Sequence, residues 1–224
     1  MELDNPVWHA LRGPQANLAE GGPLARRYQP DVAAFAALPD DPAPDAWEAM
    51  QELLGPRGVA FLARDDLTPP SGWTTAFSAP AVQMVAVAVR GVIADDAERL
   101  TPDDVPDMLA IVERTHPGPF ASRTIELGEY VGLRGDDGAL IAMAGERMFA
   151  PPYREVSAVC TDAAYRGRGL ATRLVRHLVA HMHERGEIPM LHARADNVDA
   201  IHLYEALGFT VTREFAVTGY RVPS

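Results

Sequence analysis

The sequence predicts an α/β (α+β) fold in which helices and strands are interspersed, and three observations carry that prediction. Of the 224 residues, 47% are hydrophobic and 23% charged, a mix rich enough in apolar side chains for packed cores and poor in signals of disorder. Beyond about residue 95, cap and turn residues divide the chain at regular intervals. Between those divisions, apolar residues recur with helical spacing in some segments and alternate as in strands in others. The resulting order is helix, hairpin, strand, helix, strand, helix and two strands.

The first 94 residues read differently from the rest. They hold eleven of the 19 prolines and all three tryptophans, Trp8, Trp47 and Trp73. Residues 31–38 and 45–54 are predicted as short helices around a proline-rich loop. The apolar runs 58–63 and 82–89 suit buried strands. No active-site motif falls in this stretch, so 1–94 is read as a smaller N-terminal α/β domain and 95–224 as the domain that carries chemistry.

In the second part, Thr101 caps a helix with Pro102 at its first position and Asp103 and Asp104 in its first turn, where carboxylates suit the helix dipole. Its predicted apolar stripe is Val105, Met108, Leu109 and Val112. Residues 129–134 and 139–148 flank Gly135-Asp136-Asp137-Gly138, a tight hairpin turn. Residues 155–161 alternate as a strand. A helix follows over 169–184, with Leu170, Leu174, Leu178 and Met182 at i, i+4 spacing. Residues 188–193 form a strand. Asn197 caps a short helix through Ala206, Gly208 ends it in a left-handed conformation, and 209–215 and 216–222 are read as two last strands.

Composition excludes several chemistries. All 20 of the Lys and Arg residues are arginine, which removes Schiff-base enzymes, pyridoxal-phosphate anchors, GxxxxGK phosphate loops and the kinase strand lysine. A net charge of -11 argues against nucleic acid and anionic membranes as partners. One cysteine, Cys160, excludes a disulfide framework and suits a reducing, cytoplasmic setting. The amino terminus shows no basic segment followed by an apolar run, and no stretch reaches the roughly 20 apolar residues of a membrane span.

The chemistry is expected at Arg166-Gly167-Arg168-Gly169-Leu170-Ala171-Thr172, between a predicted strand and a predicted helix. Unpaired N–H groups converge at such a junction, the helix dipole adds positive potential, and glycine lets the main chain approach a phosphate. Arg168 and Arg173 would reinforce that charge. A dinucleotide fingerprint does not fit, because Thr172 stands where GxGxxG needs its third glycine. Taken alone, the turn equally suits a plain strand-to-helix connection.

A second segment stands at the right distance: Leu191-His192-Ala193-Arg194-Ala195-Asp196-Asn197, then Leu203-Tyr204-Glu205-Ala206-Leu207-Gly208-Phe209. Together the two resemble the GNAT superfamily of N-acetyltransferases over roughly residues 95–224, closest in wording to the branch with glycine N-acyltransferase-like C-terminal domains. The resemblance implies a mixed, mainly antiparallel sheet with a splayed central strand pair, flanked by helices. It implies acetyl-CoA or another acyl-CoA as co-substrate, and an acceptor that is a small-molecule amine or a peptide N-terminus. Carried over by position, Val159, Cys160 and Thr161 would offer backbone groups to pantetheine, Arg166 through Thr172 would hold the pyrophosphate, and Asn197 and Tyr204 would lie beside the cofactor arm and thioester. The N-terminal part would be a degenerate GNAT-like half that walls the acceptor site. The alternative is a catalytically silent acyl-CoA-binding module.

Amine acylation needs a base for the ammonium proton and an acid for the departing sulfur. Glu155, at the start of the strand leading into the phosphate loop, is the first candidate base, with a burial-raised pKa expected. His192 competes from the next strand, and Tyr204 is the candidate acid. His177 and His181, four apart on a helix with His183 nearby, imitate a metal pair; a solvated helix face without a completing carboxylate is expected there, and no metal. The acceptor class is left open, with overall acidity favouring the approach of cationic amines.

Overall fold

The computed structural model describes residues 2–223. The first part contains α1 (Pro6–Arg12), the short strands β1 (Ala19–Gly21), β2 (Arg26–Tyr28) and β3 (Phe35–Ala37), α2 (Pro44–Leu54), β4 (Val59–Leu62) and the long β5 (Thr74–Ala86). After β6 (Glu98–Arg99) come α3 (Val105–Thr115), the hairpin of β7 (Tyr130–Arg134) and β8 (Leu140–Ala150), and β9 (Tyr153–Thr161). Then follow α4 (Leu170–Glu184), β10 (Ile188–Arg194), α5 (Val198–Leu207) and β11 (Phe209–Arg221).

All strands join one sheet in the order β1-β2-β3-β4-β11-β5-β10-β9-β8-β7-β6. Its pairs are antiparallel except β3 with β4 and β9 with β10. The boundary expected near residue 94 falls between β5 and β6, yet β5 lies between β10 and β11 and pairs with both. The two stretches of sequence therefore share a sheet. Helix α4 buries Leu174, Leu178 and Met182, as its spacing requires, against strand residues such as Val131, Ala144 and Leu191.

Several elements depart from the sequence reading. Residues 31–38 form no helix: Phe35, Ala36 and Ala37 are all buried as β3, wedged between β2 and β4, and sheet pairing overrides the helix preference of alanine. Strand β5 begins at Thr74 rather than 82, because β11 pairs with it along its whole length despite Pro80. The two last strands are one, β11, with register shifts at Val211/Arg213 and Gly219/Tyr220 that bend it without breaking it. Helix α3 buries Met108 and Ile111, with Val105 and Val112 partly buried beside them, and leaves Leu109 exposed, so Ile111 takes the place in the buried stripe that the spacing gave to Leu109. The Thr101–Asp104 capping box is present. Trp8, Trp47 and Trp73 pack cores, with Trp47 and Trp73 edge-on at 5.1 Å.

Candidate functional site

Strands β9 and β10 run parallel for only three rungs, Tyr153 with Ile188, Arg154 with Pro189, and Glu155 with Met190. Beyond them β10 stays with β5 through Arg194, opposite Ala81, while β9 stays with β8. The sheet parts between them. A bulge places Ala158 and Val159 opposite the single residue Ala144, with Ala158 at φ 51°, and bends β9 away. Past Glu155, the edge of β9 that faced β10 has no strand partner, so its N–H and C=O groups are available to a ligand.

The parting opens a cleft of about 570 Å³. Val159, Cys160, Thr161, Arg166, Ala171, His192, Asn197 and Tyr204 all line it, so the structure gathers the two sequence segments on one cavity. Gly167 and Gly169 have φ of 75° and 74°, a left-handed conformation that L side chains rarely adopt. Gly169 stands at the N-cap of α4, and no side chain caps the first turn. The N–H groups of that turn are thus offered to an anion. Arg168 is exposed and lies over the Tyr165 ring. Arg173, by contrast, pairs with Asp96, so it does not add free charge to the loop as the sequence suggested.

Glu155 is fully buried. A second bulge, with Arg147 and Met148 opposite it, turns both onto its carboxylate. Arg147 donates twice, at 2.8 and 2.6 Å, and the Met148 N–H donates at 3.3 Å. His192 Nδ1 lies 2.7 Å from Oε1. Burial opposes the charge, but Arg147 and then His192 outweigh it and hold the carboxyl well below the usual glutamate range. The raised pKa expected for Glu155 is therefore reversed, because the sequence does not reveal that Arg147 faces it across the hairpin.

His192 lines the cleft while its Nδ1 faces Glu155, and Nε2 lies 3.3 Å from the Gln83 amide nitrogen. Nδ1–H donation to the carboxylate leaves the Nε2 lone pair as the acceptor, a tautomer assigned from the hydrogen-bond pattern. Tyr204 is buried, and that burial pushes its phenol up to about 12. Cys160 is buried beside Thr115, and desolvation raises its thiol, which leaves it a poor nucleophile. Asn197 caps α5 by accepting from the Ala200 N–H. Arg147 and Gln83 escaped the sequence reading; only Gln83, a lone polar residue in the apolar run 82–89, left a signal there.

The helix face of His177 and His181 is not solvated as expected. His177 is buried, and Glu129 supplies a carboxylate 3.0 Å from His181 Nδ1. These three offer ligand atoms within 4.8 Å of one another. The Ala94 N–H, however, donates to His177 Nδ1, so the neutral ring carries its hydrogen on Nε2 and both nitrogens are engaged or protonated. Arg185 stands 3.5 Å from Glu129. The donor set reads as a hydrogen-bonded and ionic network.

A mixed sheet parted between two parallel strands, with an uncapped, glycine-entered helix start on the resulting cleft, defines the splayed-sheet class of α/β proteins. Residues 130–217 match the family of FR47-like proteins. A GNAT-family protein of Novosphingobium aromaticivorans, 42% identical, superposes on 100% of this chain and 99% of its own with a TM-score of 0.90. The N-alpha-acetyltransferase RimI of Mycobacterium tuberculosis is 38% identical over 100 residues, 42% of this chain and 61% of that protein, so the chain spans less than two thirds of it. The [ribosomal protein bS18]-alanine N-acetyltransferase of Salmonella typhimurium is 30% identical over 131 residues, 53% of this chain and 85% of that protein. The chain belongs to the GNAT family of acetyltransferases. These likenesses do not carry the closer placement beside glycine N-acyltransferases. Among the described residues, no helix is long and apolar enough to cross a membrane.

Proposed function

We propose that this protein transfers an acetyl or other short acyl group from acyl-CoA to a primary amine, borne by a small molecule or a peptide N-terminus. The observation that carries the reading is His192, fixed by a buried carboxylate and set in the same cleft as Tyr204, the free edge of β9 and the α4 N-terminus. The backbone of Gly167 through Thr172, with Arg166 and Arg168, suits the pyrophosphate. The free edge at Val159, Cys160 and Thr161 suits the amides of the pantetheine arm, and Asn197 stands alongside. The acyl-CoA supplies a thioester carbonyl open to attack and a thiolate that can leave.

His192 Nε2 takes the proton that the attacking amine loses, and the long Gln83 contact gives way to that amine. Glu155 positions the imidazole and remains ionised throughout. Tyr204 holds a proton at neutral pH and gives it to the departing sulfur. The base is thus assigned to His192 rather than Glu155, whose two oxygens are occupied by Arg147 and His192. A reducing cytoplasm suits this role and the free thiol of Cys160.

The test joins binding to turnover. Saturating acetyl-CoA is expected to raise the melting temperature, and amines to release free thiol from it. His192→Ala and Tyr204→Phe should each lower turnover by about 10²–10⁴ while the melting shift by acetyl-CoA persists. A melting shift without thiol release from any amine would favour the silent binding module. Absence of the shift would remove the acyl-CoA assignment.

A further inference from the structure

The cleft continues past His192. On the same face of the sheet, strand register lines up apolar side chains in rows: Phe215 is opposite Ala81 and Val217 opposite Ala79. In the next row, Phe35 is opposite Phe61, Phe61 opposite Gly219, and Gly219 opposite Phe77. Gly219 is the gap in that row. A Cβ there would lie 2.0 Å from the Phe77 ring, so only glycine lets that ring fold over β11 towards Phe61, at a centroid separation of 4.7 Å. At the near end, the His192 ring stands 5.3 Å from Phe215. An apolar floor therefore runs from the candidate base to a half-buried aromatic pair, all of it lining one cavity.

Charge sharpens the choice of occupant. Among the described residues, no acidic side chain lines the cleft. Its charged groups are Arg147, Arg166 and Arg194, of which Arg147 and Arg194 already hold Glu155 and Asp196. A second ammonium group would find no carboxylate here, although the chain as a whole carries -11. The local site thus opposes the preference for cationic amines that the overall charge suggested.

We propose that the acceptor is a monoamine on an aromatic or branched apolar body, which lies on Phe215, Val217, Phe61 and Phe77 with its nitrogen at His192. This rests on the acyl-transfer reading above and narrows it to a substrate class. Polyamines and other polycations are disfavoured.

Thiol release from acetyl-CoA is followed with 2-phenylethylamine, ethylamine and spermidine, and binding of the same amines to the CoA-loaded protein is followed by calorimetry. The KM for phenylethylamine is expected to be at least about tenfold below those of the other two, as burial of one aromatic ring allows. Phe61→Ala combined with Phe77→Ala should reduce the preference for phenylethylamine over ethylamine about tenfold. The melting shift with acetyl-CoA reports that the variant is folded. Val217→Trp, which fills the floor, should abolish the same preference from the opposite direction. Spermidine matching phenylethylamine, or a preference unmoved in a folded variant, overturns the proposal. If acetyl-CoA gives neither a melting shift nor thiol, the acyl-transfer reading fails by itself. Calorimetric preference among the amines, measured then on the protein alone, still supports or overturns the aromatic seat.

Discussion

Arg147, Glu155 and His192 form the contact on which the proposed chemistry turns, and elementary electrostatics sets their roles. A buried carboxylate gripped in a bidentate pair is a poor base but a firm support for an imidazole. Because the folded-state pKa of Glu155 lies below its unfolded value, the unfolded chain takes up the proton first as pH falls. The stability from this pair is fully present above the ordinary glutamate range and is lost progressively as pH drops through that range towards the depressed folded value. Glu155→Gln leaves the Arg147 guanidinium, whose side chain is only 13% exposed, without its counter-charge. A loss of about 3–5 kcal/mol is expected in urea denaturation at neutral pH. Where the variant still folds, kcat for acyl transfer should fall while the KM for acetyl-CoA stays unchanged, because the His192 imidazole loses the carboxylate that orients it. An unchanged kcat with only lower stability would leave Glu155 a purely structural role.

Among the elements, α4 illustrates how much of this protein was legible beforehand. Its bounds, its leucine stripe and its glycine-rich entry could all be read, because caps and apolar periodicity act locally. What packs on its other side could not. The segment 91–94 docks there, with the Val92 N–H donating to the Arg176 carbonyl and the Ala94 N–H to His177. A Cβ on Gly91 would come within 2.6 Å of the Ala180 Cα. Gly91→Ala must therefore push that segment off the helix, at about 1–3 kcal/mol, measurable as a lower denaturation midpoint with an unchanged slope. A variant as stable as the parent would show that the segment yields freely. Residues 31–38 illustrate the opposite case. Their alanines favour helix, and only the vacancy between β2 and β4 makes Phe35–Ala37 a strand.

At the scale of the molecule, the sheet joins what the sequence divides. Strand β5 is flanked by β10 and β11, and Gln15 of the N-terminal part donates to the carbonyls of Leu127 and Arg147 at 3.1 and 2.6 Å. The fragment 95–224 would therefore lose the partner of both β10 and β11 and expose their apolar faces. Expressed alone, it should lack a cooperative transition, whereas the full chain should unfold in one step by circular dichroism and fluorescence. A fragment that melts cooperatively and still binds acetyl-CoA would restore an independent domain. The sequence by itself sufficed for the class of fold after residue 95 and for the glycine-rich entry to α4, because caps, turns and apolar periodicity act over short range, and its two separated segments carried the GNAT resemblance. Only the three-dimensional arrangement shows the partnership of Arg147 with Glu155, which lowers the carboxyl pKa where burial alone would raise it, and the Phe61–Phe77 pair contributed by the first 94 residues. Those depend on which strands lie side by side and in which register, a long-range property that local spacing does not encode.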